Sequence, residues 1–466
     1  MNALNNTHGP TSRPPGRCRS LLLALVVLAF SSVAVPNLLP SAAADTITVD
    51  PPTETVSSPA TADCQYKTRP PAAEDTSEAV TAGQKSPSPL PIPAHPVGGD
   101  PLGTCGFSLP LGAPALPSDI SAASWLIADL DTSDVLAAKD AHGRFRPAST
   151  LKLLTMNVLL RNLTNPNQVV IGTDQDSNQE GSRVGIGDGG KYTVRQLMTY
   201  LLLGSGNDVA NALARANGGT ARTVEQMNSR AKALGALDTR AATVSGLDGP
   251  GQMTSAYDLA LIARSDMSLP PFAELTATQY AQVPGFGPYK GFSIANENKL
   301  LTGYPGALGG KTGFTNDAGN TYVGLAEKNG RRLVVTMLDG SQQPRPQWMQ
   351  AASLLDWGFA LPDGSTPVGR LVSSGAQATG TAPTPSIPPA TQRSTLTLGA
   401  GSSSAALPVT VSSPPTAAAA PVTPPASGGS GVVIWIVIVL LVVLAAFAVV
   451  MGLRTSGSRR SGRHTG

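Results

Sequence analysis

Histidine and cysteine are scarce in this chain: its 466 residues hold four histidines and three cysteines. His8 and His464 sit close to the two ends and His95 in a proline-rich stretch, so only His142 falls among residues patterned as a folded domain. A Ser-His-Asp triad needs a histidine held between two partners, and a lone loop histidine argues against one. The same shortage, with no spaced Cys/His cluster, argues against a zinc site. No metal and no cofactor is expected. Charge is thin as well, with a formal net of +3 and no dense basic face, which speaks against nucleic acid as a partner. Large apolar residues are missing from two stretches, before residue 116 and after about residue 362, where Pro, Ser, Ala and Thr gather instead. Such composition cannot bury enough surface to offset the entropy of ordering. One folded domain, residues 116–362, is what remains.

The ends carry hydrophobic runs. Residues 1–44 begin with Arg13, Arg17 and Arg19, continue through the apolar run Leu21–Phe30 and finish on Ala42-Ala43-Ala44 before Asp45. That layout reads as a secretory signal peptide. Residues 431–453 read as a transmembrane helix, because Val432–Leu453 holds no charge and at about 1.5 Å per residue reaches roughly 33 Å, enough for a hydrocarbon core. The tail 454–466 contains Arg454, Arg459, Arg460 and Arg463 and no acid, so it is expected inside and the rest of the chain outside. Residues 363–430 read as a Pro/Ser/Ala/Thr-rich stalk. Cys18 leaves with the signal peptide, and Cys64 with Cys105 form an even pair in an exported chain. A disulfide is expected there, closing the loop that holds Pro70–Pro101 within a proline-rich segment, residues 45–115, at the domain entrance.

Within 116–362 the periodicity predicts strands first, then helices, then strands and a last helix. Ser124–Leu130 and Asp134–Lys139 read as a hairpin, and Leu151–Leu163, Val194–Leu203, Asp208–Ala216, Val224–Leu234 and Ala256–Ala263 as helices. Lys311–Thr315, Thr321–Ala326 and Arg332–Leu338 read as strands, the last two joined by the hairpin signal Asn329-Gly330. Gln347–Ala360 closes the domain as a helix. This order predicts an α+β fold: an antiparallel sheet built from both chain ends, flanked by helices, with an inserted all-helical subdomain.

Without a histidine, a serine can be activated by a lysine that is kept neutral. Ser149 and Lys152, in PASTLKLLT, stand one helical turn apart where an apolar helix begins. Free backbone N–H groups at a helix start are placed to meet an oxyanion. The pattern alone is weak, since Ser229 and Lys232 repeat it in mid-helix. Two further clusters separate the copies. Ser205-Gly206-Asn207 lies between apolar helices in LLLGSGNDVANALA, and Lys311-Thr312-Gly313 opens a strand in YPGALGGKTGFT. Gly313 is expected to let a ligand backbone come close.

Ser-x-x-Lys, Ser-x-Asn and Lys-Thr-Gly in this order resemble the penicillin-binding proteins and serine β-lactamases, and the local context resembles the D-alanyl-D-alanine carboxypeptidases of low molecular mass. The resemblance covers roughly residues 116–360 and implies a β-lactamase/transpeptidase-like fold. It implies a peptidoglycan stem peptide as substrate, β-lactams as covalent inhibitors, Ser149 as nucleophile and Lys152 as its base. Ser205 would relay a proton, Asn207 would hold the substrate amide or orient Lys152, and Lys311 with Thr312 would bind the terminal carboxylate. Backbone N–H groups of Ser149 and Phe314 would form the oxyanion hole. A class A β-lactamase would add a Glu-x-x-x-Asn loop, whereas Glu225–Asn228 is one residue short and inside a helical pattern. A non-enzymatic sensor would need more than the short tail after Leu453.

Overall fold

A computed structural model describes residues 58–362 and 364–380. The expected signal peptide, most of the stalk, the transmembrane helix and the basic tail lie outside the described residues. Among the described residues no helix is long and apolar enough to cross a membrane.

Seven strands form one sheet: β1 (Phe107–Ser108), β2 (Ser124–Asp129), β3 (Asp134–Lys139), β4 (Ala307–Thr315), β5 (Gly319–Lys328), β6 (Arg331–Gly340) and β7 (Gly369–Arg370). The helices that matter here are α1 (Lys152–Asn162), α2 (Val194–Leu203), α3 (Asn207–Ala216), α4 (Thr220–Leu234), α5 (Ala256–Met267), α6 (Pro270–Ala277) and α7 (Gln347–Phe359). The strand order is β3-β2-β6-β5-β4, with β1 and β7 both along the outer edge of β3. Every pairing is antiparallel, and β2 meets β6 from Ser124 opposite Leu338 to Asp129 opposite Leu333. Sequence-distant ends therefore share one sheet.

Both faces of that sheet are covered, so its central strands carry apolar residues without alternation. Trp125, Ile127, Leu333, Val335 and Met337 pack with Leu354, Leu355 and Trp357 of α7. The intervening Leu126, Ala128, Val334 and Leu338 join the larger core with α1, α2, α3 and α5. Local chemistry sets the ends of the elements. Thr193 and Gln196 form a capping box at α2, and Ser255 caps α5 through the Asp258 N–H. Asn329 and Gly330 take φ of 54° and 76°, the paired left-handed conformation that a two-residue turn between β5 and β6 requires.

Three expectations are corrected. The inserted region is not all helical: it contains the ribbons Val169–Ile171 with Lys191–Thr193 and Tyr280–Val283 with Phe292–Ala295. The limits 116–362 are too narrow, because β1 precedes them, β7 follows them, and both pair with β3. The proline-rich segment supplies buried Val97 and Leu102, and residues at the expected start of the stalk supply buried Val368 and Leu371. Finally, the expected strand Lys311–Thr315 begins earlier, at Ala307. Gly309-Gly310 lies inside β4 at a register shift rather than before it, and a Cβ on Gly310 would stand 2.0 Å from Val323 O. Glycine lets β4 and β5 pair across that bulge.

Candidate active site

Ser149 lies on a 3-10 turn, Ala148–Leu151, that leads into α1, rather than in the α-helix itself. The turn holds Ala148 at φ 44°, a conformation that costs an L-residue on the order of 1–3 kcal/mol and persists only where its surroundings enforce it. They do. Pro147 O accepts from Thr150 Oγ1 at 2.5 Å and from Thr321 Oγ1 of β5 at 2.8 Å. Gly246 packs so closely on the turn that a Cβ there would be 1.9 Å from Ala148 O.

Lys152, the first residue of α1, is fully buried. Its Nζ meets Ser149 Oγ at 2.8 Å, Asn207 Oδ1 at 2.7 Å and Ser245 O at 2.6 Å. Burial, and then the nearby cation Lys311, push its pKa well below the ordinary lysine value, against the opposing pull of Glu297 and Asp208. Lys311 is also buried, in the middle of β4, and donates to Thr312 O at 2.8 Å. Burial lowers its pKa to about 8, with Glu297 opposing.

Ser205 and Asn207 come from the break between α2 and α3. The glycines on either side of Ser205 do not hold the left-handed position in that break; Ser205 itself does, at φ 54°. Its hydroxyl is buried and makes no hydrogen bond among the described residues. Asn207 is oriented by its own amide, which donates to Glu180 O at 2.6 Å, and by its backbone N–H, which reaches Ser182 O at 2.7 Å. Gly313 has a different role from the one expected. A Cβ there would lie 2.8 Å from Ser149 N and 2.4 Å from Thr321 Oγ1, so the close approach is that of the Ser149 turn.

These elements bound a cleft of about 500 Å³ lined by Ser149, Ser205, Thr312, Gly313 and the exposed Phe314, together with Ser182, Glu297, Lys299, Asn320 and Trp348 among others. No arginine is among its lining residues. Lys152, Asn207 and Lys311 are buried around it. A larger cavity, about 1220 Å³, lies between the proline-rich segment and the C-terminal end of α4 and is lined by none of Ser149, Lys152, Ser205, Asn207, Lys311 and Thr312. The bland candidates fall away from the cleft. His142 is held by Asp238 Oδ2 at 2.8 Å and Val97 O at 2.9 Å, and Ser229 and Lys232 are exposed on α4. Asn228 ties α4 to Ala241 rather than facing the cleft.

Three participants had no legible signal. Ser245 contributes a backbone carbonyl, which any residue has. Glu297 lines the cleft and sets its charge against the lowered pKa values of Lys152 and Lys311. Asp208, fully buried, accepts from the N–H groups of Val184, Gly185 and Ile186 at 3.0, 2.7 and 3.1 Å, and so closes residues 182–186 over Asn207. Asp208→Asn exchanges one acceptor oxygen for a donor facing those N–H groups. A loss of about 2–4 kcal/mol in denaturant-measured stability is expected. A change below about 0.5 kcal/mol would show that the carboxylate does not hold this loop.

Cys64 and Cys105 are bonded, with S–S 2.07 Å and Cα–Cα 5.2 Å. The bond joins the proline-rich segment to itself just before β1.

A lysine-paired serine, an Asn-bearing loop and a Lys-Thr-Gly strand on a sheet-and-helix scaffold together define the penicillin-recognising serine enzymes. Within that class the chain belongs to the D-alanyl-D-alanine carboxypeptidase family, peptidase S11, whose sequence model matches residues 112–342. It is 46% identical over 256 residues to the D-alanyl-D-alanine carboxypeptidase DacB2 of Mycobacterium tuberculosis, covering 54% of this chain and 87% of that one. It is 33% identical to the D-alanyl-D-alanine carboxypeptidase DacD of Escherichia coli, covering 52% of this chain and 64% of that one. The crystal structure of a D-alanyl-D-alanine carboxypeptidase from Mycobacterium tuberculosis superposes with a TM-score of 0.54 at 44% identity, over 56% of this chain and 99% of that one. The Streptomyces K15 DD-transpeptidase superposes with a TM-score of 0.50 at 27% identity, over 53% of this chain and all of that one. These neighbours carry the expected β-lactamase/transpeptidase-like α+β fold.

Proposed function

We propose that this protein is a penicillin-sensitive serine D,D-carboxypeptidase that removes the terminal D-alanine from peptidoglycan stem peptides through an acyl-enzyme on Ser149. The observation that carries the reading is the contact set of Lys152 Nζ. Two of its three partners, Asn207 Oδ1 and Ser245 O, are carbonyl oxygens and can only accept. A neutral amine has two N–H donors and one lone pair. With both donors committed to carbonyls, the lone pair is left for the Ser149 hydroxyl at 2.8 Å.

The chemistry follows from that arrangement. Ser149 Oγ attacks the carbonyl carbon of the penultimate D-alanine while its proton passes to Lys152 Nζ. The N–H groups of Ser149 and Phe314 receive the oxyanion. The C–N bond then breaks, and the departing amine takes a proton through Ser205, whose hydroxyl has no hydrogen-bond partner among the described residues. The Lys311 ammonium and the Thr312 hydroxyl hold the free carboxylate of the substrate, which selects chain ends. Water attacks the acyl-enzyme by the same route in reverse. Glu225, the nearest match to the class A β-lactamase Glu-x-x-x-Asn pattern, lies on α4 outside the lining of the cleft, and slow release of bound penicillin is expected. The signal peptide, stalk and membrane helix read from the sequence support an enzyme held outside the cell membrane, facing the wall.

The test is release of D-alanine from a peptide ending in D-Ala-D-Ala; no release would remove the carboxypeptidase reading. The same assay carries a pH prediction with two limbs. Lys152 must be neutral, so kcat/KM rises as pH climbs through its depressed pKa. Lys311 must be charged, so kcat/KM falls again above about 8, the value burial gives it. A profile still rising at pH 10 would contradict the role given to Lys311.

A further inference from the structure

The proline-rich segment reaches the Ser149 turn. Arg146, three residues before Ser149 and almost wholly buried, donates from Nε to Glu78 Oε1 at 2.6 Å and from Nη2 to Glu78 Oε2 at 2.9 Å, a two-pronged pairing. Its remaining nitrogen, Nη1, donates to Asp317 O at 3.3 Å. Asp317 sits in the turn between β4 and β5, the hairpin that carries Lys311, Thr312 and Phe314. The carboxylate of Asp317 in turn accepts from Glu74 N at 2.6 Å and Ser77 Oγ at 3.4 Å. Residues 74–78 therefore hold both the tip of this hairpin and the residue that leads into the Ser149 turn.

The segment is itself fastened at several points. The Cys64–Cys105 bond closes it. Buried Arg144 donates to Thr68 O, Leu90 O and Pro91 O at 3.3, 2.8 and 2.9 Å. Arg240 donates to Ser88 O at 2.5 Å. All of residues 74–78 precede the part of the chain matched by the family model, which starts at residue 112.

We propose that residues 74–78 clamp the β4–β5 hairpin against the Ser149 turn, with Glu78 as a positioning residue that acts through Arg146. The proposal rests on the oxyanion hole assigned above. One of its N–H groups belongs to Ser149 in the turn and the other to Phe314 in the hairpin, so the spacing between the two pieces sets the hole. Donors stabilise an oxyanion only near 2.7–3.1 Å, and a shift of about 1 Å costs on the order of 100-fold in rate. Without Glu78 the buried guanidinium keeps one hydrogen-bond partner among the described residues, Asp317 O, and the turn and the hairpin tip lose their shared anchor.

The test uses the full chain and a fluorescent penicillin over a range of concentrations up to saturation. Glu78→Gln keeps the shape of the side chain and removes its charge. Its acylation rate constant is expected to fall about 10-fold. Deacylation should fall by the same factor, because both tetrahedral intermediates use the same N–H pair. The pre-covalent dissociation constant should stay within about twofold, and every molecule should still be labelled. A merely structural role would lower the labelled fraction and leave both rate constants alone. Arg240→Ala loosens the same segment at Ser88 and is expected to lower the melting temperature without slowing acylation. If Glu78→Gln folds poorly, Asp317→Ala, which removes the acceptors of Glu74 N–H and Ser77 Oγ, tests the same clamp from the hairpin side. An unchanged acylation rate constant with full labelling, or equal slowing by Arg240→Ala, overturns the clamp. Peptide mapping of the adduct separates this from failure of the reaction itself: a label on a residue other than Ser149 would sink the proposed nucleophile first.

Discussion

Replacing Ser149 by Ala is expected to leave a folded protein that releases no measurable D-alanine and retains no labelled penicillin after denaturation. The loss should be at least about 10⁴-fold, the scale on which removal of a nucleophile acts. The prediction is sharp because the structure removes the bland role for this side chain. A serine at a helix start often serves as a cap, and its loss then costs about 1 kcal/mol. Here Pro147 occupies the cap position and no side-chain capping bond is made. Among the described residues the Ser149 hydroxyl has one partner, Lys152 Nζ, so stability should change by no more than about 1 kcal/mol. Labelling that persists in Ser149→Ala would move the nucleophile elsewhere, with Ser205 the other hydroxyl to examine first in the cleft.

Lys152→Met carries the second large effect. A general base typically contributes about 10²–10⁴-fold, and acylation by penicillin should fall by that order. The acid limb of the pH profile should disappear with it, because the group that must lose a proton is gone. Methionine fills the space without a donor, so Asn207 Oδ1 loses its partner at 2.7 Å and Ser245 O its partner at 2.6 Å. Each buried orphan costs about 1–3 kcal/mol, and the melting temperature should drop clearly. Stopped-flow rate constants separate the two consequences, since destabilisation lowers the labelled amplitude and loss of the base lowers the rate. An acylation rate constant within about threefold of the parent, or a retained acid limb, would rule Lys152 out as the base.

Much of the site could be read from the chain because its chemistry sits in short motifs. A serine and a lysine one turn apart, a Ser-x-Asn loop and a Lys-Thr-Gly strand are local patterns, and the structure brings all three to one cleft. The shortage of histidine argues against a histidine base from composition alone. What escaped notice has no local signature. Ser245 offers a carbonyl 93 residues from the amine it meets. Glu297 acts at a distance through its field. Asp208 differs from any capping aspartate only in the three N–H groups that the fold turns toward it.

The domain limits failed for a related reason. Proline-rich composition argued that residues 45–115 lacked a core of their own, and so they do, but Leu102 and Val97 are buried on a core supplied by others. The strand expected over Lys311–Thr315 left out Gly309 and Gly310, whereas pairing with β5 places them within β4 beside a register shift.

The sequence by itself determined the three motifs of the candidate site and the α+β class, because spacing, periodicity and the lack of a usable histidine are all local properties of the chain. Tertiary structure decided how those residues work together. The burial that depresses the pKa values of Lys152 and Lys311, the carbonyls that commit the Lys152 N–H groups, and the Glu78–Arg146–Asp317 contacts all depend on neighbours from distant parts of the chain.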